Sequence, residues 1–80
     1  MIIIEDGVLF CAAGSTEKEI IDSWNFYFSK NFYWISEFYP YDDYNDDLLA
    51  PVHSFQRILE IIEILNNDLE DCNIEIKNID

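Results

Sequence analysis

The most regular stretch of the chain is FQRILEIIEILNNDL, which spans residues 55–69. Its apolar side chains recur every three or four residues, the spacing that places them on one face of an α-helix. They are Phe55, Ile58, Leu59, Ile62, Leu65 and Leu69. Pro51 suits the first turn of this helix, where a missing N–H costs nothing. We therefore predict an amphipathic helix from Pro51 that begins to unwind at Asn66-Asn67.

The N-terminal residues predict a β-hairpin. Ile2-Ile3-Ile4 is a short β-branched run, and Val8 to Ala13 forms the return strand. Asp6-Gly7 between them is a strong hairpin signal, because both residue types tolerate a positive φ. The alternative is one long strand with a bulge at Gly7.

A second helix is predicted upstream of the first, starting at Thr16. Thr16 as the N-cap residue and Glu19 three positions later form a capping box. The apolar stripe that follows contains Ile20, Ile21, Trp24, Tyr27 and Phe28. We expect this helix to end near Lys30-Asn31.

Two further strands complete the predicted fold. Residues 32–39 are dense in aromatic and β-branched side chains, which favour a strand, and continuation of the preceding helix is the alternative. Cys72, Ile74 and Ile76 alternate with polar residues, as in a half-exposed strand. The order β-β-α-β-α-β predicts one α+β domain over residues 1–80. We expect a small mixed or antiparallel sheet packed against two helices.

The charge of the chain is strongly lopsided. Seventeen acidic residues against four basic ones give a net charge of −13, and residues 41–80 alone carry −9. DNA, RNA and anionic membranes attract basic surfaces, so this composition argues against direct contact with any of them. Solubility of a small domain needs a net charge of only about 2–8 in magnitude. The surplus therefore predicts a cationic protein partner.

Cysteine usage and apolar runs indicate a cytoplasmic protein. Cys11 and Cys72 are too few for the disulfide framework of a small secreted domain, and a bridge between them would require neighbouring strands. Residues 1–13 lack the basic start of a secretory signal. No apolar run approaches the length that spans a membrane. We expect a monomer or a homodimer.

Motifs that would indicate catalysis or a cofactor are weak. With only Gly7 and Gly14, the chain cannot form a glycine-rich phosphate loop. His53 alone cannot build a multi-histidine zinc site, and we expect it at the surface near a helix start. Residues 43–47 place Asp, Asn and Asp as in a calcium loop, but Leu48 and Ser54 stand where glycine and glutamate are required. We therefore predict no enzyme, no metal and no cofactor.

Acidic and aromatic residues define the predicted binding surface. Polar and acidic residues follow a spacing of four and three residues opposite much of the apolar stripe of the helix at residues 55–69: Gln56, Glu60, Glu63, Asn67 and Glu70. Tyrosines interleave the acidic loop at residues 41–47. Tyrosine gives rigid contact area, and carboxylates accept Lys and Arg side chains. The predicted partner-binding residues are Tyr41, Asp42, Asp43, Tyr44, Asp46, Asp47, Glu60, Glu63, Glu70 and Asp71.

One segment resembles part of a known family. Phe38-Tyr39-Pro40, followed by the acidic cluster and Pro51, is similar to the Tyr-Tyr-Pro-plus-acids segment of DNase colicin immunity proteins. The resemblance covers about a dozen residues, with Phe38 in place of Tyr, and that family is all-helical. It implies that such a combination suits inhibition of a basic nuclease.

These features of the sequence are consistent with three functions. The leading one is a small inhibitor that mimics nucleic-acid charge on a basic protein, such as a nuclease or a nucleic-acid-binding complex. In size and charge the chain is similar to phage anti-defence (anti-CRISPR) and toxin immunity proteins. The second is a non-catalytic adaptor or oligomeric structural domain whose acidity serves solubility. The third, a metal-dependent enzyme, has the least support.

Overall fold

A computed structural model of the chain describes residues 1–35 and 48–79. Within these residues the protein has a three-stranded antiparallel sheet in the order β2-β1-β3 and two helices of more than one turn, which confirms the α+β class. The elements are β1 (Ile2–Asp6), β2 (Leu9–Gly14), α1 (Glu17–Asn31), α2 (Phe55–Asp68) and β3 (Glu75–Asn78). In this part of the chain no helix has the length and apolar character needed to cross a bilayer.

The predicted hairpin is confirmed, and the single long strand is excluded. Asp6 pairs with Leu9, so Gly7 and Val8 form the turn. Gly7 has a φ of 69°, and the Val8 N–H donates to the Asp6 carbonyl at 2.6 Å. The turn therefore lies one residue later than Asp6-Gly7, and of the two residues in that pair only Gly7 uses a positive φ.

A β-bulge lies inside the hairpin, which the sequence pattern did not indicate. The register changes from Ile4 opposite Ala12 to Glu5 opposite Phe10, which leaves Cys11 as the extra residue of β2. Cys11 and its neighbour Ala12 are both fully buried. The bulge explains how two successive residues of a strand, which would otherwise point to opposite faces, are both buried.

The start of α1 follows the predicted cap. Thr16 Oγ1 accepts the Glu19 N–H at 3.2 Å and donates to the Glu19 carboxylate at 3.1 Å. The reciprocal half of the box differs, since the carboxylate binds the Thr16 hydroxyl and not its backbone N–H. α1 packs on β2 and buries Ile20, Trp24 and Phe28, whereas Tyr27 is exposed.

The predicted strand at residues 32–39 is wrong over residues 32–35, and its remainder lies outside the described residues. Phe32 is the C-cap of α1, and the Ile35 N–H donates to its carbonyl at 3.0 Å in a turn. The Phe32 ring stacks on Phe28 at 4.7 Å, and Phe28 stacks on Trp24 at 4.1 Å. Phe32 thus continues the four-residue spacing of the buried helix face, and this packing outweighs its strand propensity.

The long amphipathic helix is confirmed, but its start is not at Pro51. α2 begins at Phe55, because Ser54 Oγ accepts the Arg57 N–H at 3.1 Å and caps it. The helix continues through Asn66 and Asn67 to Asp68. Its buried residues are Ile58, Ile61, Ile62 and Leu65, and Leu59 is exposed. The buried stripe is therefore rotated relative to the predicted one.

The last strand forms the second edge of the sheet. β3 pairs with β1 from Ile2 opposite Asn78 to Glu5 opposite Glu75. Cys72 and Ile74 precede the strand, where they are buried in the core. The alternating pattern from Cys72 therefore correctly identified Cys72 and Ile74 as core residues. It placed the start of the strand too early, because the strand begins at Glu75.

Candidate partner-binding surface

The outer side of α2 carries the first part of the predicted surface. Glu60 and Glu63 are exposed, one turn apart. They line a shallow groove along the C-terminal half of the helix, here called the helix groove. Its lining residues are Glu60, Glu63, Ile64, Asn67 and Asp68.

A second groove, here called the turn groove, lies where the chain leaves α2. Its rim is acidic, and its remaining lining comes from an indole, a leucine and a buried cysteine. Its lining residues are Asp6, Trp34, Asp68, Leu69, Glu70, Asp71 and Cys72. Three separate parts of the chain build it: the end of β1, the turn after α1 and the end of α2.

Asp68 lines both grooves, so the two form one continuous surface. We call its carboxylates the acidic face, which consists of Asp6, Glu60, Glu63, Asp68, Glu70 and Asp71. These carboxylates come from β1, from α2 and from the turn that follows it. Each of these elements therefore contributes negative charge to the lining of the two grooves.

The basic residues do little to neutralise the acidic face. Lys18 pairs with Asp22 at 3.5 Å, and Lys77 pairs with Glu5 at 3.0 Å, both away from the grooves. Lys30 lies 3.6 Å above the centre of the Phe26 ring. The fourth basic residue contacts the face, since Arg57 Nη1 lies 3.1 Å from Glu60.

Four carboxylates of the face have no such partner in the described part of the chain. Asp6, Glu63, Glu70 and Asp71 have no cation within ion-pair distance among the described residues. Within residues 1–35 and 48–79, no three acidic, histidine or cysteine side chains are grouped closely enough to hold one metal ion.

Both cysteines are free and buried. Cys11 lies in β2 and Cys72 in the segment before β3, and no disulfide joins them. Burial raises the pKa of the Cys11 thiol to about 12, with added repulsion from Asp6 and Cys72. Burial, with a smaller effect from Asp6, raises the pKa of Cys72 to about 11. Both thiols are therefore protonated at neutral pH and poor nucleophiles, although Cys72 lines the turn groove.

Four predicted binding residues fall on this surface. Glu60 and Glu63 line the helix groove, and Glu70 and Asp71 line the turn groove. The other predicted residues lie outside the described part of the chain: Tyr41, Asp42, Asp43, Tyr44, Asp46 and Asp47. The five-residue calcium-like stretch lies outside it too. His53 is exposed just before the cap of α2, as expected.

Five residues of the turn groove were not among the predicted binding residues, namely Asp6, Trp34, Asp68, Leu69 and Cys72. Asp6 was assigned only to the hairpin turn, and Trp34 only to a strand face. The sequence does contain a signal for the position of Trp34. Aromatic residues recur every four positions at Trp24, Phe28 and Phe32, so the aromatic stripe of α1 continues almost to Trp34. The Trp34 ring packs 5.7 Å from Phe32 at the end of that row.

A different kind of surface lies on α1. Phe26 and Tyr27 are exposed with ring centres 4.7 Å apart, and Tyr27 meets Phe10 of β2 edge-on at 5.1 Å. We call Phe10, Phe26 and Tyr27, with Lys30 above Phe26, the aromatic patch. Unlike the grooves, this surface combines apolar rings with a cation.

Comparison of the chain with known protein families, with curated protein sequences and with solved structures finds no match.

Proposed function

We propose that this protein is a small acidic inhibitor that occupies the positively charged, nucleic-acid-binding surface of a protein partner. The observation that carries the proposal is the continuity of the two grooves through Asp68, which gathers six carboxylates on one face. A surface of this kind competes with nucleic acid, because it offers negative charge to the lysines and arginines that normally bind phosphate.

The turn groove is suited to binding a lysine or arginine side chain of the partner. Lysine and arginine side chains combine an apolar stem with a charged head. The stem would pack on Leu69 and the Trp34 ring, and the head would meet Glu70 or Asp71 at the rim. Arginine suits such a site best, because its planar guanidinium stacks on aromatic rings and binds carboxylates with two hydrogen bonds.

Long-range electrostatics would also speed the encounter. The chain carries −13, and the described cations leave most of the acidic face unpaired. Complementary charge raises association rates to about 10⁸–10⁹ M⁻¹s⁻¹ at low salt. Binding should therefore weaken as salt increases, with most of the change in the association rate.

The proposal is tested by capture followed by competition. The immobilised protein is exposed at low salt to a lysate of the cells in which it occurs, and the captured partner is identified and purified. We expect double-stranded DNA or RNA to compete with the protein for that partner. If the partner binds nucleic acid equally well with and without the protein, mimicry is wrong.

A matched pair of variants separates the acidic face from overall charge. One variant carries Glu63→Gln, Glu70→Gln and Asp71→Asn, and the control carries Glu17→Gln, Glu19→Gln and Asp22→Asn on α1. Both have the same net charge, but only the first alters the grooves. We expect the first to weaken binding by about tenfold or more, equivalent to roughly 1.4 kcal/mol, and the control to change it less. Equal losses would show that only total charge matters.

The aromatic patch favours a second function, a non-catalytic adaptor. Phe26 and Tyr27 offer exposed rings of the type enriched in protein interfaces. Substitution of Phe26→Ser would abolish partner capture by an adaptor that uses this patch. For an inhibitor that uses the acidic face, the same substitution would leave capture intact.

A further inference from the structure

The two edge strands of the sheet, β2 and β3, differ in whether their outward backbone groups are hydrogen-bonded to the rest of the molecule. Along β2, the Ala13 N–H donates to Ser23 Oγ at 3.0 Å, and the Phe10 carbonyl accepts from Asn31 Nδ2 at 2.8 Å. Both side chains belong to α1, so the helix satisfies backbone groups of β2 that point away from β1. Such coverage prevents another chain from pairing with this edge.

The chain just before β3 is covered in the same way. Asn66 of α2 donates to the Ile74 carbonyl at 3.0 Å and accepts the Ile74 N–H at 2.8 Å. Its side-chain amide takes the place that the backbone of an adjacent strand would occupy. The part of this edge whose outward backbone groups are already hydrogen-bonded therefore ends at Ile74.

β3 itself has an open edge. Met1 and Ile79 exchange two hydrogen bonds, of 2.8 and 2.7 Å, and bonded and non-bonded pairs alternate in an antiparallel ladder. Lys77 and Glu75 therefore direct their backbone groups toward β1, whereas Ile76 and Asn78 direct theirs outward. Among the described residues none hydrogen-bonds to these outward groups, and all four residues of β3 are exposed.

The side chains along this edge indicate what could pair with it. Ile76 lies opposite Ile4 with 42% of its surface exposed, which favours an apolar neighbour. Glu5, Glu75 and Lys77 form a cluster with net charge −1 on the other face. A second copy of this chain would bring another −13, so electrostatics favours a cationic occupant.

We propose that the outer edge of β3 accepts an extended segment of the basic partner, which adds a fourth strand to the sheet and alternates basic and apolar residues. This inference rests on the proposed function, because the partner's positive charge is taken from it. Backbone hydrogen bonds to Ile76 and Asn78 provide the attachment, and the side chains beside Glu75 and Ile76 provide selectivity.

The test uses a defined peptide and amide hydrogen exchange measured by NMR on the full chain. The probe alternates valine and lysine over about eight residues, the upper part of the usual strand length. We expect the amides of Ile76 and Asn78 to exchange about tenfold more slowly when the peptide binds. The amide of Lys77, already bonded to β1, should change little.

Two controls separate strand pairing from adsorption by charge. The same peptide, N-methylated at alternate residues, keeps its charge but cannot form a ladder, and we expect it to bind about tenfold more weakly. Ile76→Pro removes the outward N–H without removing a bond to β1, so it should weaken the unmodified peptide similarly. Ile76→Thr keeps the N–H and should bind more tightly than the proline variant. If Ile76→Pro fails to fold, the two peptides on the unaltered protein decide the question.

Three results would overturn the inference. Equal binding of both peptides with unchanged exchange at Ile76 and Asn78 would show charge attraction without pairing, and would leave the proposed function standing. Absence of peptide binding would exclude the open edge as a site for a basic strand. Slow exchange at these amides in the free protein, together with a dimer in sedimentation, would show a second copy as the occupant. Failure of the proposed function itself would appear elsewhere, as capture insensitive to substitutions in the acidic face.

Discussion

Gly14 ends β2 at the point where the first turn of α1 approaches the sheet. A Cβ added there would lie 2.7 Å from Glu19 Cβ and 2.9 Å from the Ile20 backbone nitrogen. Neither atom can easily move, because Thr16 caps this turn through the Glu19 N–H. Glycine is needed here for space, whereas Gly7 has open surroundings and is needed for its positive φ.

We predict that Gly14→Ala lowers the free energy of unfolding by about 1–3 kcal/mol, the usual cost of overpacking. Urea unfolding followed by circular dichroism measures the change. Gly7→Asn is the matched control, because asparagine tolerates a positive φ and meets no atoms there. A Gly14→Ala variant as stable as the control would show that β2 and α1 are not in close contact.

The buried thiols predict a pH dependence of stability. The pKa of Cys11 is raised by burial from an ordinary value of 9.0 to about 12, so the folded state disfavours its thiolate. The stability that the neutral thiol contributes is fully present well below pH 9.0, because the thiol is then protonated in both the folded and the unfolded state. It is lost as pH rises toward about 12, because the unfolded state releases its proton first.

Urea midpoints from neutral pH to about pH 10.5 test this prediction. The unaltered protein should lose stability with rising pH more steeply than Cys11→Ala, whatever the difference between them at neutral pH. Tyrosine and lysine also titrate in this range, but they are common to both proteins. Parallel pH profiles would contradict the prediction.

At the scale of elements, two asparagines connect parts of the chain that share no strand or helix. Asn25 of α1 accepts the Val52 N–H at 2.7 Å and donates to its carbonyl at 2.9 Å. The Asn66 side chain of α2 makes the same two hydrogen bonds, with the backbone N–H and carbonyl of Ile74. Each asparagine satisfies two backbone groups that would otherwise lack a partner, and so fixes a connection that has no regular structure.

We predict that Asn66→Ala destabilises the protein by about 1–3 kcal/mol, because two partly buried backbone groups lose their partner. Asn67→Ala provides the control, since Asn67 is its exposed neighbour on the same helix. Urea unfolding measures both variants, and the Ile74 amide should exchange faster in Asn66→Ala alone. Equal effects of the two substitutions would contradict this role for Asn66.

At the scale of the whole molecule, charge and burial oppose each other. A core of isoleucine, aromatic and cysteine side chains stabilises the fold, while a net charge of −13 repels itself. The acidic face concentrates part of this repulsion where few cations offset it. This repulsion lowers the stability of the folded state.

Added salt should therefore stabilise the folded protein, because the screening length falls to about 10 Å at 0.1 M ionic strength. We expect the melting temperature to rise between low salt and about 0.5 M sodium chloride, and to rise less in the variant with Glu63→Gln, Glu70→Gln and Asp71→Asn. The α1 control variant should lie between that variant and the unaltered protein. A melting temperature that is independent of salt would show that the repulsion is unimportant.

Local patterns in the sequence determined much of the fold. The hairpin at Gly7, the cap at Thr16, the helix within residues 55–69 and the α+β class all follow from signals spread over a few neighbouring residues. The surplus of acidic residues and four members of the candidate surface could also be identified in this way. Periodicity and capping are local physics, so a linear chain reveals them.

Tertiary structure alone decided the remaining features. Phe32 stacks on Phe28 instead of entering a strand. Asp6 and Trp34 join the acidic turn after α2 only because the fold brings distant segments together. The physical reason is the same in each case: the energy of packing and of charge proximity depends on distances in space, which spacing along the chain does not encode.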